Sequence, residues 1–446
     1  MKRSVHIVTL GCPKNQIDSE VMAGILLREG YSLSSSPGDA ETIIINTCAF
    51  IQPATEESVE EIVHLGNLKR RGSCRRLVVA GCLPQRYGFA LEKLLPEADL
   101  FIGTAEFPRI TEHLLSLDKV PALSCRTIVS EPDFLMNSLH PRHIEKGTAT
   151  AYLKLADGCS NRCTYCIIPS IRGAYRSRTP DDVLSEAERL AGKGVKEIIL
   201  TAQDTTAYGT DNGAKPTLAG LLKNLAFIKT IQWIRILYGH PRHITDDLIE
   251  AMGENDKICP YMDIPIQHID DPILHAMNRH ITETDIRRAI GRLRSRVPDI
   301  ALRTSIIVGF PGEGRRSFQK LLDFLRETRF DHLGVFEYCR EEGTPAWSFD
   351  RQISKKERHR RRAVLMEEQS AISSEIMKEA IGSVQQVLIE GPSDMEGYPL
   401  AGRTARQAPD IDGLVYVNAP GRGPGDMIQC RITSSDIYDL FGEECS

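Results

Sequence analysis

The stretch Asp157-Gly-Cys-Ser-Asn-Arg-Cys-Thr-Tyr-Cys-Ile167 sets Cys159, Cys163 and Cys166 in a C-x3-C-x2-C spacing. Three thiolates on one short loop can hold three corners of a 4Fe–4S cluster. No fourth cysteine follows locally, so one iron would stay open to a small ligand. The competing reading is a zinc knuckle, but zinc sites favour C-x2-C pairs and four ligands. A second triplet is spread out: Cys12 follows HIVTLG, Cys48 follows ETIIINT and Cys82 follows RRLVVAG. Each cysteine lies just past a predicted parallel strand. If those strands are neighbours, the thiols converge at the carboxyl edge, where open α/β sheets place their ligands. If they are not, the three are ordinary core or loop cysteines. Cys74, Cys125, Cys259, Cys339, Cys430 and Cys445 show no ligand spacing and read as ordinary reduced thiols.

Positioning these residues takes more than one domain. The chain has 446 residues, enough for two or three domains. Its net charge of -5 excludes a globally basic nucleic-acid binder but leaves room for a local basic patch. No apolar run approaches the ~20 residues of a membrane span. The start MKRSVHIVTLGC has a basic end, but its apolar part is too short for a signal peptide and no small-residue cleavage site follows. A cytoplasmic location is therefore expected, where clustered cysteines point to metal or redox chemistry rather than disulfides.

The fold class is α/β with a terminal β-barrel. Over residues 3–120, HIVTL, ETIIINT, RRLVVAG and DLFIG read as strands apolar on both faces, with SEVMAGILLREG as a helix between them. That is the pattern of a doubly wound α/β domain. Residues 121–144 read as a loose linker. From 145 to 376, AYLKLA, KEIILTA, WIRILYG, YMDIPIQ, LRTSIIVGF and HLGVFEY alternate with helices, giving an open (β/α)6 barrel. Thr179 and Thr245 offer helix caps, and Ser354-Lys-Lys-Glu357 a capping box opening a helix to about Gly382. The basic KKERHRRR face of that helix reads as a solvated surface. In the terminal domain, residues 377–446, the pattern switches to period two from 383 onward, in five short segments that predict a five-stranded antiparallel barrel of OB-like size.

The first triplet, with Tyr165 before its last cysteine, resembles that of the radical S-adenosylmethionine (SAM) superfamily. With the second triplet placed, essentially the whole chain is similar to the methylthiotransferase family: a cluster domain, a radical SAM barrel and a C-terminal TRAM barrel. The motifs that carry this are LGCPKN, INTCAFI, AGCL, DGCSNRCTYCIIPSIRG and GFPGE. Within the family, four features resemble the branch that modifies an aspartate of the small-subunit ribosomal protein numbered twelve. They are Cys12-Pro-Lys-Asn15, where the tRNA enzymes tend to show Cys-Gln-Met-Asn; Asp263-Ile-Pro-Ile-Gln-His268, against Pro-Val-Gln-Ser; Ile168-Pro-Ser-Ile-Arg-Gly173; and the stretch Gly402 to Gly413. One departure is Gly314-Arg315-Arg316 after PGE, where the family continues with Thr and acidic residues that suit a helix start.

The resemblance implies two 4Fe–4S clusters. The one on Cys159, Cys163 and Cys166 would be catalytic, chelating SAM through its amino and carboxylate groups and reducing it to a 5′-deoxyadenosyl radical. The one on Cys12, Cys48 and Cys82 would present a methylated sulfur to the substrate radical. SAM contacts would fall at Tyr165, Gln203, Gly309, Gly312 and Glu313, and a flavodoxin- or ferredoxin-like protein would supply electrons. Charge favours a protein substrate independently. Residues 380–446 hold four Arg, no Lys and ten Asp or Glu, so 4 − 10 = −6. A domain gripping tRNA phosphates should be basic, whereas an acidic one suits a basic ribosomal protein. The competing functions are methylthiolation of tRNA N6-isopentenyladenosine and a non-catalytic iron–sulfur protein bound to the ribosome. No membrane partner is expected.

Overall fold

A computed structural model describes residues 3–72, 74–117, 126–213 and 217–445. The chain forms two compact units. One runs through Glu145 and adds Ala156–Arg178 and Glu341–Thr344; the other takes Lys146–Leu155, Thr179–Arg340 and the chain from Pro345 onward. The segment carrying Cys159, Cys163 and Cys166 thus belongs with the N-terminal residues, whereas the alternation of strands and helices had grouped it with the barrel.

In the first unit, β1 (Ser4–Thr9), β2 (Ser32–Leu33), β3 (Thr42–Thr47), β4 (Arg76–Gly81), β5 (Leu100–Ile102) and β6 (Arg126–Ile128) form one sheet in the order β2-β1-β3-β4-β5-β6. Every pairing is parallel. All six residues of β3 are buried, as a continuous apolar run requires in a sheet covered on both faces. β6 lies within the stretch read as a loose linker; three residues at the sheet edge are too few to show a period. Residues 121–125 of that linker, with Cys125, lie outside the described residues. Helices α1 (Pro13–Arg28), α2 (Gln52–Arg70) and α3 (Cys82–Tyr87) follow β1, β3 and β4 directly, and α1 and α2 each carry a proline in the first turn.

The second unit holds six parallel strands in the spatial order His332–Glu337, Ala301–Val308, Ile258–Asp263, Trp233–Ile236, Glu197–Thr201 and Thr150–Lys154. The two end strands do not pair, so the (β/α)6 barrel is open as expected. The fourth strand begins at Ile258 rather than at Tyr261. Pro260 lies inside it, and the register against Trp233–Ile236 shifts there, because proline has no N–H for the ladder.

Helix ends differ in detail. Thr245 accepts from the Leu248 N–H, but Thr179 caps by position only. Ser354 accepts from the Glu357 N–H, while the Glu357 carboxylate turns to Arg360 and Arg361, so this capping box is half made. A complete box sits instead at Thr282 and Asp285. Helix Arg315–Thr328 starts at Gly314 with no side-chain cap, held by its buried Phe318, Leu321, Phe324 and Leu325.

The terminal strands close a barrel in the order Val384–Pro392, Leu400–Thr404, Val415–Asn418, Leu440–Glu444 and Met427–Ser435. Four pairings are antiparallel, but Val415–Asn418 and Leu440–Glu444 run parallel. A closed ring with an odd number of strands cannot alternate direction at every seam, so one seam must be parallel. No helix among the described residues is long and apolar enough to cross a membrane.

Candidate functional site

β3 pairs with β1 on one side and β4 on the other, so Cys12, Cys48 and Cys82 leave three adjacent strands at the same edge. Cys12 is the N-cap of α1, Cys48 follows β3, and Cys82 opens α3. The approach is close. Gly11 has φ +94°, and a Cβ there would lie 2.6 Å from the Cys48 Cβ. Burial, then the neighbouring Cys82 and Cys12, push the Cys48 thiol up to about 12. Burial also raises Cys82, against the pull of Arg172. Cys12 is lowered: burial opposes this, but Lys14, Arg172 and the backbone N–H groups of Asn15 and Lys14 outweigh it. The three thiols therefore share one electrostatic environment.

A buried polar frame surrounds them. Asn15 Nδ2 donates to the carbonyls of Leu10 and Thr47, both at 2.9 Å, and Asn46 Nδ2 donates to the Asn15 carbonyl at 2.8 Å. Arg172 Nη1 reaches Asp18 Oδ2 at 2.7 Å, and Nη2 reaches Asn15 Oδ1 at 2.7 Å and Cys82 Sγ at 3.8 Å. Arg86 donates to the Ala49 carbonyl at 2.8 Å and pairs with Glu341 at 2.8 Å. Motif reading missed this frame. Asn15 and Arg172 stand in LGCPKN and CIIPSIRG, but nothing local in those stretches tells a buried polar side chain from an exposed one.

Cys159, Cys163 and Cys166 occupy an irregular loop. Ala156–Asp157 and Arg176–Ser177 pair antiparallel at its base. Gly158, at φ +76°, brings the backbone so close that a Cβ would lie 2.0 Å from the Ala174 carbonyl oxygen. The Cys159 N–H donates to the Gly173 carbonyl and the Cys166 N–H to that of Cys163, both at 3.1 Å. Cys163 is buried; Cys159, Cys166 and Tyr165 are half-buried. None of the described cysteines is in a disulfide. Among the described residues no group of three or more His, Cys, Asp or Glu side chains is placed to hold a single metal ion. A four-iron cluster makes a different demand, since each cysteine binds its own iron and the thiols stand apart.

In the second unit, Gln203 follows strand Glu197–Thr201 and Gly309 follows Ala301–Val308, so both lie past carboxyl ends of parallel strands. Gly312 lies in the same turn as Gly309, with φ +87°. Glu313 is fully buried, and its carboxylate accepts from the N–H groups of Gly309 and Phe310 and from Arg361 Nη1 at 2.8 Å. Its carboxyl is raised by burial, against the opposing pull of Arg361. Glu313 thus shapes the GFPGE turn. Arg361 corrects the reading of its helix face as wholly solvated, for its side chain is only 4% exposed. Arg358 also turns inward, to the Tyr338 carbonyl. His268 is buried, and its Nδ1 accepts from the Asp270 N–H at 2.9 Å. Burial holds it neutral, down to about 3.

Residues 4–103 match the uncharacterized protein family UPF0004, 153–325 the radical SAM superfamily and 381–444 the TRAM domain. Among solved structures, the radical S-adenosylmethionine methyltransferase TsrM from Kitasatospora setae, with cobalamin and a [4Fe-4S] cluster bound, shares the fold. Its TM-score is 0.57 at 15% identity, over 90% of this chain and 82% of that one. The cobalamin-dependent S-adenosylmethionine radical enzyme OxsB aligns at TM-score 0.51 and 12% identity, over 80% and 56%. Fold and matches define a radical SAM protein flanked by UPF0004 and TRAM domains. Ribosomal protein uS12 methylthiotransferase RimO of Syntrophus aciditrophicus is 54% identical over 99% of this chain and 98% of its own. The protein of that name from Geotalea uraniireducens is 48% identical with the same coverage. The chain belongs to the RimO family of radical SAM methylthiotransferases.

Proposed function

We propose that this enzyme transfers a methylthio group to the β-carbon of an aspartate in ribosomal protein uS12, in the cytoplasm. The observation that carries the reading is full-length identity to relatives of that name, 54% in one case, in a chain that has both cysteine triplets. An aliphatic β-carbon has no acidic proton for a side-chain base to take, so a cofactor must supply the reactivity.

Cys12, Cys48 and Cys82 would hold one 4Fe–4S cluster, and Cys159, Cys163 and Cys166 a second that binds SAM. The residues present suit such clusters: each triplet is made of soft thiol donors, and Gly11 lets the chain carrying Cys12 pack directly against Cys48. When bound, the clusters and two SAM molecules would supply electron transfer, hydrogen abstraction, the sulfur and its methyl group. The chain's own residues do the positioning. Cys48, Cys82 and Cys163 are buried, which keeps water from those ligands. Glu313 and Arg361 hold the Gly309–Gly312 turn at the strand end where SAM would lie. Tyr165 and Gln203 would complete the SAM contacts. On the terminal barrel Asp394, Glu396, Asp410, Asp436 and Glu443 are exposed, a surface suited to a basic protein. A low-potential flavodoxin- or ferredoxin-like protein would deliver electrons.

The deciding experiment is anaerobic incubation of the reconstituted enzyme with SAM, a reductant and either 30S subunits or tRNA, followed by mass spectrometry. A methylthio adduct on uS12 alone is expected. Modification of tRNA alone would overturn the substrate assignment.

A further inference from the structure

Arg172 is not one of the cysteines, yet its guanidinium reaches residues beside both triplets. It ends helix Ile168–Arg172, which directly follows the Cys159–Cys166 loop. Its Nη1 also stands 3.6 Å from Asp157 Oδ2, just before that loop. The guanidinium therefore clasps both ends of the loop. From there it extends to the other triplet: to Asp18 on α1, to Asn15 three residues past Cys12, and to Cys82 Sγ. The side chain is only 4% exposed. Its fork fills three different acceptors, an arrangement that one ammonium on a flexible stem does not reproduce.

We propose that Arg172 is a positioning residue that ties the two cysteine triplets together and, by donating to Cys82 Sγ, raises the reduction potential of the cluster on Cys12, Cys48 and Cys82. This rests on the reading that those cysteines hold a cluster. Hydrogen bonds and positive charge at a ligand sulfur favour the reduced, more negative form of an iron–sulfur centre. Asp18 and Asp157 oppose part of the guanidinium charge, while Lys14 adds to it. The hydrogen bond to sulfur is the contribution that removing Arg172 takes away directly.

The test uses the full chain with Cys159, Cys163 and Cys166 replaced by Ala, so that only Cys12, Cys48 and Cys82 can bind a cluster. After anaerobic reconstitution, iron content and an EPR-monitored redox titration are measured for this parent and for parents also carrying Arg172→Gln or Arg172→Lys. The expected result is a lower potential in the Gln variant, with the Lys variant between it and the parent. If the Gln variant folds but loses iron that the Lys variant retains, the positioning role is supported in its stronger form. In the chain with all cysteines present, Arg172→Gln should lose methylthio transfer about 10–100-fold, the usual cost of removing a hydrogen-bond partner of a metal ligand. Unchanged potential and unchanged transfer in the Gln variant would overturn the role of Arg172 alone. A parent that binds no iron would overturn the cluster reading and this proposal with it.

Discussion

Gly11 and Cys48 meet so closely that the strand carrying Cys12 depends on the absence of one methyl group. Gly11→Ala puts a Cβ 2.6 Å from the Cys48 Cβ on a backbone at φ +94°, so either strand end must move. The expected outcome is a folded chain that reconstitutes with iron at Cys159, Cys163 and Cys166 only, read as roughly half the wild-type iron. The cysteines themselves separate by function under the proposed reading. Cys163→Ala should abolish reductive SAM cleavage, whereas Cys48→Ala should retain cleavage and lose methylthio transfer. Chromatography of 5′-deoxyadenosine beside mass spectrometry of uS12 measures both, and retained cleavage in the Cys163 variant would contradict the assignment. At this scale the sequence was informative because thiols are few and their spacing is chemical. Asn15, Asp18 and Arg172 stayed hidden because their importance comes from burial.

Among the elements, the turn after strand Ala301–Val308 shows how a motif and a distant helix depend on each other. Gly309 and Phe310 donate to Glu313, Glu313 accepts from Arg361, and Arg361 comes from a helix whose basic run looked like surface. Arg361→Ala strands a buried carboxylate, a change that costs about 3–5 kcal/mol. The Glu313 carboxyl is already raised by burial and can protonate, so a loss near 3 kcal/mol is expected, with weaker SAM binding. Denaturant unfolding and calorimetric SAM titration check the two effects, and full stability would show that the pair is dispensable. Strand positions were legible because Ile, Val and Leu runs in parallel sheets are apolar on both faces. Less legible were the short edge strands Ser32–Leu33 and Arg126–Ile128, and the strand through Pro260, where a bulge hides the ladder. Caps were misjudged where a side chain had a better partner, as with Glu357 and its two arginines.

At the scale of the whole molecule, chain order is a poor guide to grouping, since Ala156–Arg178 folds with residues that precede the barrel. The terminal barrel shows the opposite case, a segment of different pattern that belongs to the same unit as the six parallel strands before it. Arg403 Nη2 meets Glu197 Oε2 at 2.6 Å, Arg235 Nε meets Glu197 Oε1 at 2.7 Å, and Arg235 Nη1 donates to the Ala405 carbonyl at 2.8 Å. Tyr261 donates to Asp412 and Arg406 pairs with Asp331, both at 2.7 Å. These contacts account for much of the Gly402–Gly413 motif. They bury one charge of each sign from the terminal barrel, Arg403 and Asp412, so the acidic balance over residues 380–446 is carried by its solvent face. Glu197 gives this joint a pH dependence. Burial alone would raise its carboxyl, but Arg235 and Arg403 outweigh it and hold the group at about 2, against an ordinary 4.5. A depressed folded-state value means the joint's contribution is complete above about 4.5 and fades as pH falls toward about 2. Glu197→Gln should therefore lower stability by about 3–5 kcal/mol near neutral pH, because buried Arg235 loses its carboxylate and buried Arg403 keeps only Glu390. The gap from wild type should narrow steadily below about pH 4.5, as the wild-type carboxylate loses the same charge by protonation. Denaturant unfolding of both proteins from neutral pH to about pH 3 measures this, and a gap that stays constant would show that Glu197 acts through packing and hydrogen bonds rather than charge.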